Sequence, residues 1–287
     1  MTDSVSILGL GNMGHALAAR LVTEGFGVTG WSRSGGDARQ AEHAGYRLTA
    51  DLADAAAASD IILTSLFDGV AVGAMVARLA KLPLEGKLIV ETSTIAPSEL
   101  LECVAGLHAA GALVIDAPIS GGPDMIANGT IGIFLGGPEA AVARFLPVAG
   151  HLSNRFAHIG DLGAGYATKI MNNVVLAGSI QAMIEGLQVG QALGLPKDIM
   201  LDVLEKGPAI TPMLKDRIPK IRGEDDSVGF ALNGAVVDSA LFVETAKAAG
   251  VDLKLVPEMQ KSYQAAVDAG FGDQDVAVAI RNRLGWI

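Results

Sequence analysis

From the start of the chain to about residue 160, short β-rich apolar runs alternate with stretches of helical periodicity. Positions 5–8, 28–31, 61–65, 88–91, 113–117 and 131–135 predict strands, and 13–24, 37–44, 51–58, 70–79, 97–110 and 139–149 predict helices. The alternation of short β-rich runs with helices is the pattern of a doubly wound parallel sheet. After Gly160 the pattern changes to some thirty residues of helix-forming sequence with apolar residues on every face, as expected of a buried helix. Further helices are predicted at 197–205, 211–220, 232–249, 257–269 and 273–284. The fold class is therefore α/β, with a doubly wound sheet domain over 1–161 joined by a long helix to an all-α domain over 162–287.

Composition narrows the class. Of 287 residues, 50% are hydrophobic but only 5% aromatic, so the core must be built from Ala, Val, Leu and Ile, and disorder is excluded. A single cysteine, Cys103, supports neither an internal disulfide nor a cysteine-based metal site, which suits a reducing compartment. The segment MTDSVSILGLG has no basic region before its apolar stretch and reads as a strand rather than a signal peptide, so a cytoplasmic location is expected. The apolar stretch 174–195 is interrupted by Ser179, Gln181, Glu185, Gln188 and Gln191, and no membrane span is predicted. A formal net charge of −10 without a Lys/Arg run argues against a nucleic-acid surface.

The most informative motif is Gly9-Leu10-Gly11-Asn12-Met13-Gly14, which follows a predicted strand and opens a predicted helix. In that context the first glycine permits a tight turn, the second lets backbone approach a pyrophosphate, and the third lets helix and strand pack closely. An NAD site places an acidic residue at the end of the second strand for the ribose hydroxyl. Here the strand ends in Trp31-Ser32-Arg33-Ser34. A guanidinium flanked by hydroxyls suits a 2′-phosphate, so NADP(H) is expected in preference to NAD(H). Residues 1–161 hold 9 Lys plus Arg against 16 Asp plus Glu, and Arg33 stands out against that background; the alternative is a solvated surface arginine.

Two segments carry the expected chemistry. Asp116-Ala117-Pro118-Ile119-Ser120-Gly121-Gly122 falls at the carboxyl end of a predicted strand, where open α/β sheets bind ligands; a serine before two glycines offers a hydroxyl and backbone N–H groups to a small carboxylate. A structural turn is the competing reading. In Gly165-Tyr166-Ala167-Thr168-Lys169-Ile170-Met171-Asn172-Asn173, Lys169 and Asn173 are four apart and share a helix face. Burial disfavours a charged ammonium, which suits Lys169 to exchanging a proton with an alcohol and carbonyl pair; the bland alternative packs its stem and leaves its head in water. The five histidines show no zinc spacing and no GxSxG elbow occurs, so no metal site is expected.

In order and spacing, GLGNMG at 9–14, Ser93-Thr94-Ile95, DAPISGG at 116–122 and GAGYATKIMNN at 163–173 resemble the β-hydroxyacid dehydrogenase family. That is the group around 3-hydroxyisobutyrate dehydrogenase, glyoxylate and succinic semialdehyde reductases and tartronate semialdehyde reductase. The resemblance spans the chain. It implies a Rossmann domain followed by an all-α domain, and homodimers or homotetramers assembled through the helical domains. It also implies Lys169 as the acid/base, Ser120, Gly121, Gly122 and Asn173 around a substrate carboxylate, and Leu66 and Thr94 with the cofactor. The WSRS segment resembles the Asn-Arg-Thr variant of NADP-using members, with Trp31 and the serines as departures. A larger departure is Val237, which stands where members commonly carry a lysine seven residues after a phenylalanine, here Phe230. Losing that cation implies a more apolar pocket. Two rival readings follow: an imine reductase of the same architecture, and a non-catalytic NADP(H) sensor.

Overall fold

The computed structural model describes residues 4–287, so the first three positions of the expected 1–161 domain lie outside the described residues. Its contacts divide the chain into two compact units, the first ending at Lys169 and the second running from Ile170 to Ile287. In the first unit, β1 (Ser4–Leu8), β2 (Gly27–Trp31), β3 (Arg47–Thr49), β4 (Ile61–Thr64), β5 (Leu88–Glu91), β6 (Leu113–Asp116), β7 (Ile119–Ser120), β8 (Gly132–Gly136) and β9 (Arg155–Gly160) form one sheet. Their order is β3-β2-β1-β4-β5-β6-β8-β7, with β9 beside β8. Pairing is parallel except where β8 opposes β6 and β7. The chain leaves β1 in one direction to β2 and β3 and returns to the other side at β4, so a ligand crevice opens at the carboxyl ends of β1 and β4.

Helices α1 (Asn12–Thr23), α2 (Ala38–Ala44), α3 (Leu52–Ala57), α4 (Gly69–Leu79), α5 (Pro97–Cys103), α6 (Ala105–Ala109), α7 (Pro123–Ala127) and α8 (Glu139–Leu152) cover the sheet. One core joins Val5, Ile7, Leu63 and Val90 to Leu17 and Leu21 of α1 and Phe145 of α8; a second joins Leu8, Ile62 and Ile89 to Leu79, Leu100 and Leu107. Asp37, Asp51 and Asp68 cap α2, α3 and α4, each accepting first-turn backbone N–H groups. The long helix α9 (Ala164–Ala192) begins in the first unit and continues into the second, which adds α10 (Lys197–Lys206), α11 (Pro212–Lys215), α12 (Ile218–Arg222), α13 (Leu232–Ala248), α14 (Leu255–Ala266) and α15 (Ala277–Leu284). Their core is built on Ile184, Leu187, Leu201, Ile221, Leu232, Met259 and Ile280. Arg217 and Asp275 form a partly buried ion pair, and the same carboxylate accepts the backbone N–H groups of Gly229 and Phe230 ahead of α13.

The six expected strands are present with ends shifted by a residue or so, and three more occur. β3 and β7 are three and two residues long, and β9 is a mostly exposed edge strand, RFAHIG, without the apolar run that marks its neighbours. The helix expected at 97–110 is divided at Val104, and that expected at 211–220 is divided into α11 and α12, with Pro219 at the start of the second. The short α7 was not among the expected helices.

Close packing of α1 on β1 rests on Gly14, where an added Cβ would lie 1.8 Å from the carbonyl oxygen of Gly9. Gly14→Ala is expected to lower unfolding free energy by about 1–3 kcal/mol, read from denaturant unfolding; an unchanged midpoint would show that the turn yields freely.

Candidate active site at the carboxyl edge of the sheet

Gly9 adopts φ +102°, its N–H donates to the Trp31 carbonyl at 2.8 Å, and a side chain there would meet Ser65. This tight turn delivers Gly11 as the N-cap of α1 with no side chain on the cap, and the space where a Gly11 Cβ would stand is open for 4 Å. The result is a cradle with first-turn N–H groups at a positive dipole end, which fits the phosphates of a dinucleotide. Leu10 points away from it: its side chain packs against Gly30 and Gly36, so only its backbone is offered to the cradle. Asn12 is exposed and Met13 half-buried, the latter packed on the core of this face.

At the end of β2, the Ser32 and Ser34 hydroxyls lie 3.2 Å apart, and Arg33 is exposed with no ion pair among the described residues. The following carboxylate, Asp37, is engaged in capping α2. Trp31 belongs to the packing instead: it is buried, its Nε1 donates to the Ala50 carbonyl, and the Arg78 guanidinium stacks 4.8 Å from its ring.

Register sets Thr64, Glu91 and Asp116 side by side on paired positions at the carboxyl edge, and all three are buried. Ser93 N–H donates to Glu91 Oε1 at 2.6 Å, and Leu66 N–H donates to Ser93 Oγ at 2.8 Å. Leu66 also closes over Gly9 through its side chain, and Thr94 is half-buried beside Ser93. The structure thus brings Leu66, Ser93 and the glycine turn together. Burial pushes the Glu91 carboxyl up to about 7, against the opposing hydrogen bonds from Ser93.

Asp116 anchors the second half of the site. Its Oδ1 accepts the Gly163 N–H at 2.7 Å and its Oδ2 the Tyr166 N–H at 2.8 Å, so a fully buried carboxylate caps α9. Burial raises its pKa while those amides oppose the rise. Gly136 and Gly165 let the helix start sit this low: a Cβ on Gly165 would lie 2.3 Å from the Phe134 carbonyl oxygen. One turn on, Lys169 is 8% exposed and its Nζ donates to the Ile119 carbonyl at 2.6 Å. That carbonyl precedes Ser120, so the amine is held within one residue of the Ser120-Gly121-Gly122 segment rather than in bulk water. Gly121 takes φ +142° against Ile131 and Met125, and Gly122 caps α7.

Asn173 lies four residues further along α9 in the second unit, where it lines a cavity of about 90 Å³ with Phe230, Asp238 and Tyr263 among others. Val237 is 40% exposed on α13. Sequence reasoning gave no role to Asp116 or Glu91; a carboxylate ending each of two adjacent apolar strands was the available signal.

A parallel sheet with a switch-point crevice and an open glycine cradle defines a Rossmann-type dinucleotide enzyme. Residues 4–160 match the NAD binding domain of 6-phosphogluconate dehydrogenase, and residues 163–282 match the NAD-binding domain of NADP-dependent 3-hydroxyisobutyrate dehydrogenase. The chain belongs to the 3-hydroxyisobutyrate dehydrogenase family and is a pyridine-nucleotide-dependent oxidoreductase. It is 28% identical to 2-(hydroxymethyl)glutarate dehydrogenase of Eubacterium barkeri, over 96% of this chain and 93% of that protein. It superposes on Mycobacterium tuberculosis 3-hydroxyisobutyrate dehydrogenase with L-serine at a TM-score of 0.88 and 28% identity, covering 98% of this chain and 99% of that one. An imine reductase from Pseudomonas sp. shares the fold at a TM-score of 0.66 and 23% identity, over 98% and 99% of the two chains.

The pH dependence of stability has a definite sign. Glu91 retains its proton to about 7 in the folded chain and releases it near 4.5 when unfolded. Between these values the folded state binds more protons, so this group makes stability fall as pH rises, and its contribution levels off above 7. From pH 5 to pH 8, Glu91→Gln is expected to gain about 2–3 kcal/mol relative to the parent, measured by chemical unfolding; parallel stability curves would refute the assignment.

Proposed function

We propose that the protein is an NADP(H)-dependent oxidoreductase that interconverts a small β-hydroxyacid and its aldehyde-acid, with Lys169 as general acid/base. The observation that carries this reading is the Lys169 amine, buried and held 2.6 Å from the Ile119 carbonyl beside Ser120-Gly121-Gly122. A bound nicotinamide supplies or accepts the hydride. Lys169 donates a proton to the carbonyl oxygen during reduction and takes it from the alcohol during oxidation. The Ser120 hydroxyl, the Gly121 and Gly122 amides and the Asn173 side chain hold the substrate carboxylate and orient the reacting carbon. Gly9 to Gly14 cradle the pyrophosphate, Leu66 and Thr94 border the nucleotide, and Ser32, Arg33 and Ser34 take the 2′-phosphate.

The named relatives support a hydroxyacid substrate, since they are dehydrogenases named for 2-(hydroxymethyl)glutarate and for 3-hydroxyisobutyrate. Val237 in place of a family lysine supports a less polar substrate. It is also what keeps imine reduction as the second reading, which the retained Lys169 disfavours. The exposed Met171, Val175 and Val189 of α9 support assembly of two or four copies.

An NADPH-oxidation screen over small semialdehydes, keto acids and cyclic imines tests the reaction. Turnover of imines alone favours the second reading, and nucleotide binding without any turnover favours a sensor. With the substrate so found, Lys169→Ala is expected to lower kcat by at least about 100-fold while NADPH binding is retained; wild-type turnover would reject the role. Arg33→Ala is expected to raise KM for NADPH by about ten-fold and leave NADH unaffected. Equal losses with both nucleotides would contradict the phosphate assignment.

A further inference from the structure

Glu91 lies at the carboxyl edge of the sheet, between Thr64 and Asp116, without belonging to the expected set. It ends β5, is 2% exposed, and receives the Ser93 N–H at 2.6 Å. Ser93, 4% exposed, receives the Leu66 N–H on its hydroxyl oxygen at 2.8 Å. The loop after β4 and the loop after β5 are thereby joined through one buried side chain, and Leu66 carries the connection to the glycine turn: a Cβ on Gly9 would lie 2.9 Å from Leu66 Cδ2. Titratable groups that share its surroundings are Tyr166 of α9 and Cys103 of α5, both of which feel its charge, and Asp116, its register neighbour on β6. None of these is a cation. An apolar residue at the end of β5 would avoid the desolvation of a carboxyl in such company, so packing alone does not account for Glu91.

We propose that Glu91 is a positioning residue for the nucleotide site, acting through Ser93 to hold Leu66 and Thr94 in register with the glycine turn. The inference rests on the nucleotide reading of that site. An ionised carboxylate is a stronger acceptor than a neutral one, and burial brings the Glu91 carboxyl to about 7, so the two loops are held more firmly as the pH rises through neutrality.

The test is direct binding of NADPH, followed by its fluorescence at pH 6 and pH 8, with the folded state of each variant checked by thermal unfolding. Glu91→Gln keeps the shape and a neutral acceptor. Binding by the parent is expected to tighten several-fold more between the two pH values than binding by this variant; the titration of the nucleotide's own phosphate is common to both and cancels. Ser93→Ala cuts the chain downstream, and is expected to weaken binding about ten-fold at pH 8 and to make a further Glu91→Gln change silent. Parallel pH profiles for parent and Glu91→Gln, or additive effects in the double variant, overturn the proposal while leaving the nucleotide site standing. Failure of the parent to bind either NADPH or NADH removes the site itself, and the proposal with it.

Discussion

The clamp of Asp116 on the start of α9 fixes the geometry on which the site depends. One carboxylate oxygen holds the Gly163 amide and the other the Tyr166 amide, so both the height and the rotation of the first helical turn are set from the end of β6. A helix terminus leaves its first N–H groups without partners, and a buried anion is the strongest way to satisfy them. The arrangement is reciprocal, because those same amides and the dipole behind them are what make an anion tolerable at a position of zero exposure. Lys169 follows within a turn, and its reach to the Ile119 carbonyl inherits the precision of that clamp.

A second constraint comes from the sheet. Parallel pairing puts Thr64, Glu91 and Asp116 in one row at the edge where the crevice opens. Strands so apolar along their length would otherwise end in apolar residues. The two carboxyls in the row instead organise backbone beyond the sheet: Glu91 organises the Ser93 loop and Asp116 the helix that carries the amine. The acidic balance of the chain makes local placement of cations matter more, and the exposed Arg33 just after β2 stands out against it.

Much of this was legible in the residues. The β1 loop and α1 could be read from GLGNMG because each glycine has a separate steric reason, and strands 5–8, 61–65 and 88–91 announce themselves as apolar runs. β9 could not be read, since an edge strand open to water needs no apolar pattern and RFAHIG has little of one. β7 was lost to its length, and the division at Val104 has no glycine or proline to mark it. The segments of Lys169 and Ser120 stood out by their chemistry, and the structure brings the amine to the carbonyl just before Ser120. Glu91 and Asp116 did not stand out, because their roles lie in hydrogen bonds to amides 2 and 47 or 50 residues away, and no periodicity records such a pairing.

The tether on the Lys169 amine runs to a main-chain oxygen. Such an acceptor is indifferent to the identity of the side chain that bears it. Any residue that packs at position 119, now a buried isoleucine of the sheet core, keeps the oxygen in place. The side chain at that position can therefore drift, under selection or by design, without the amine losing its hold on the main chain.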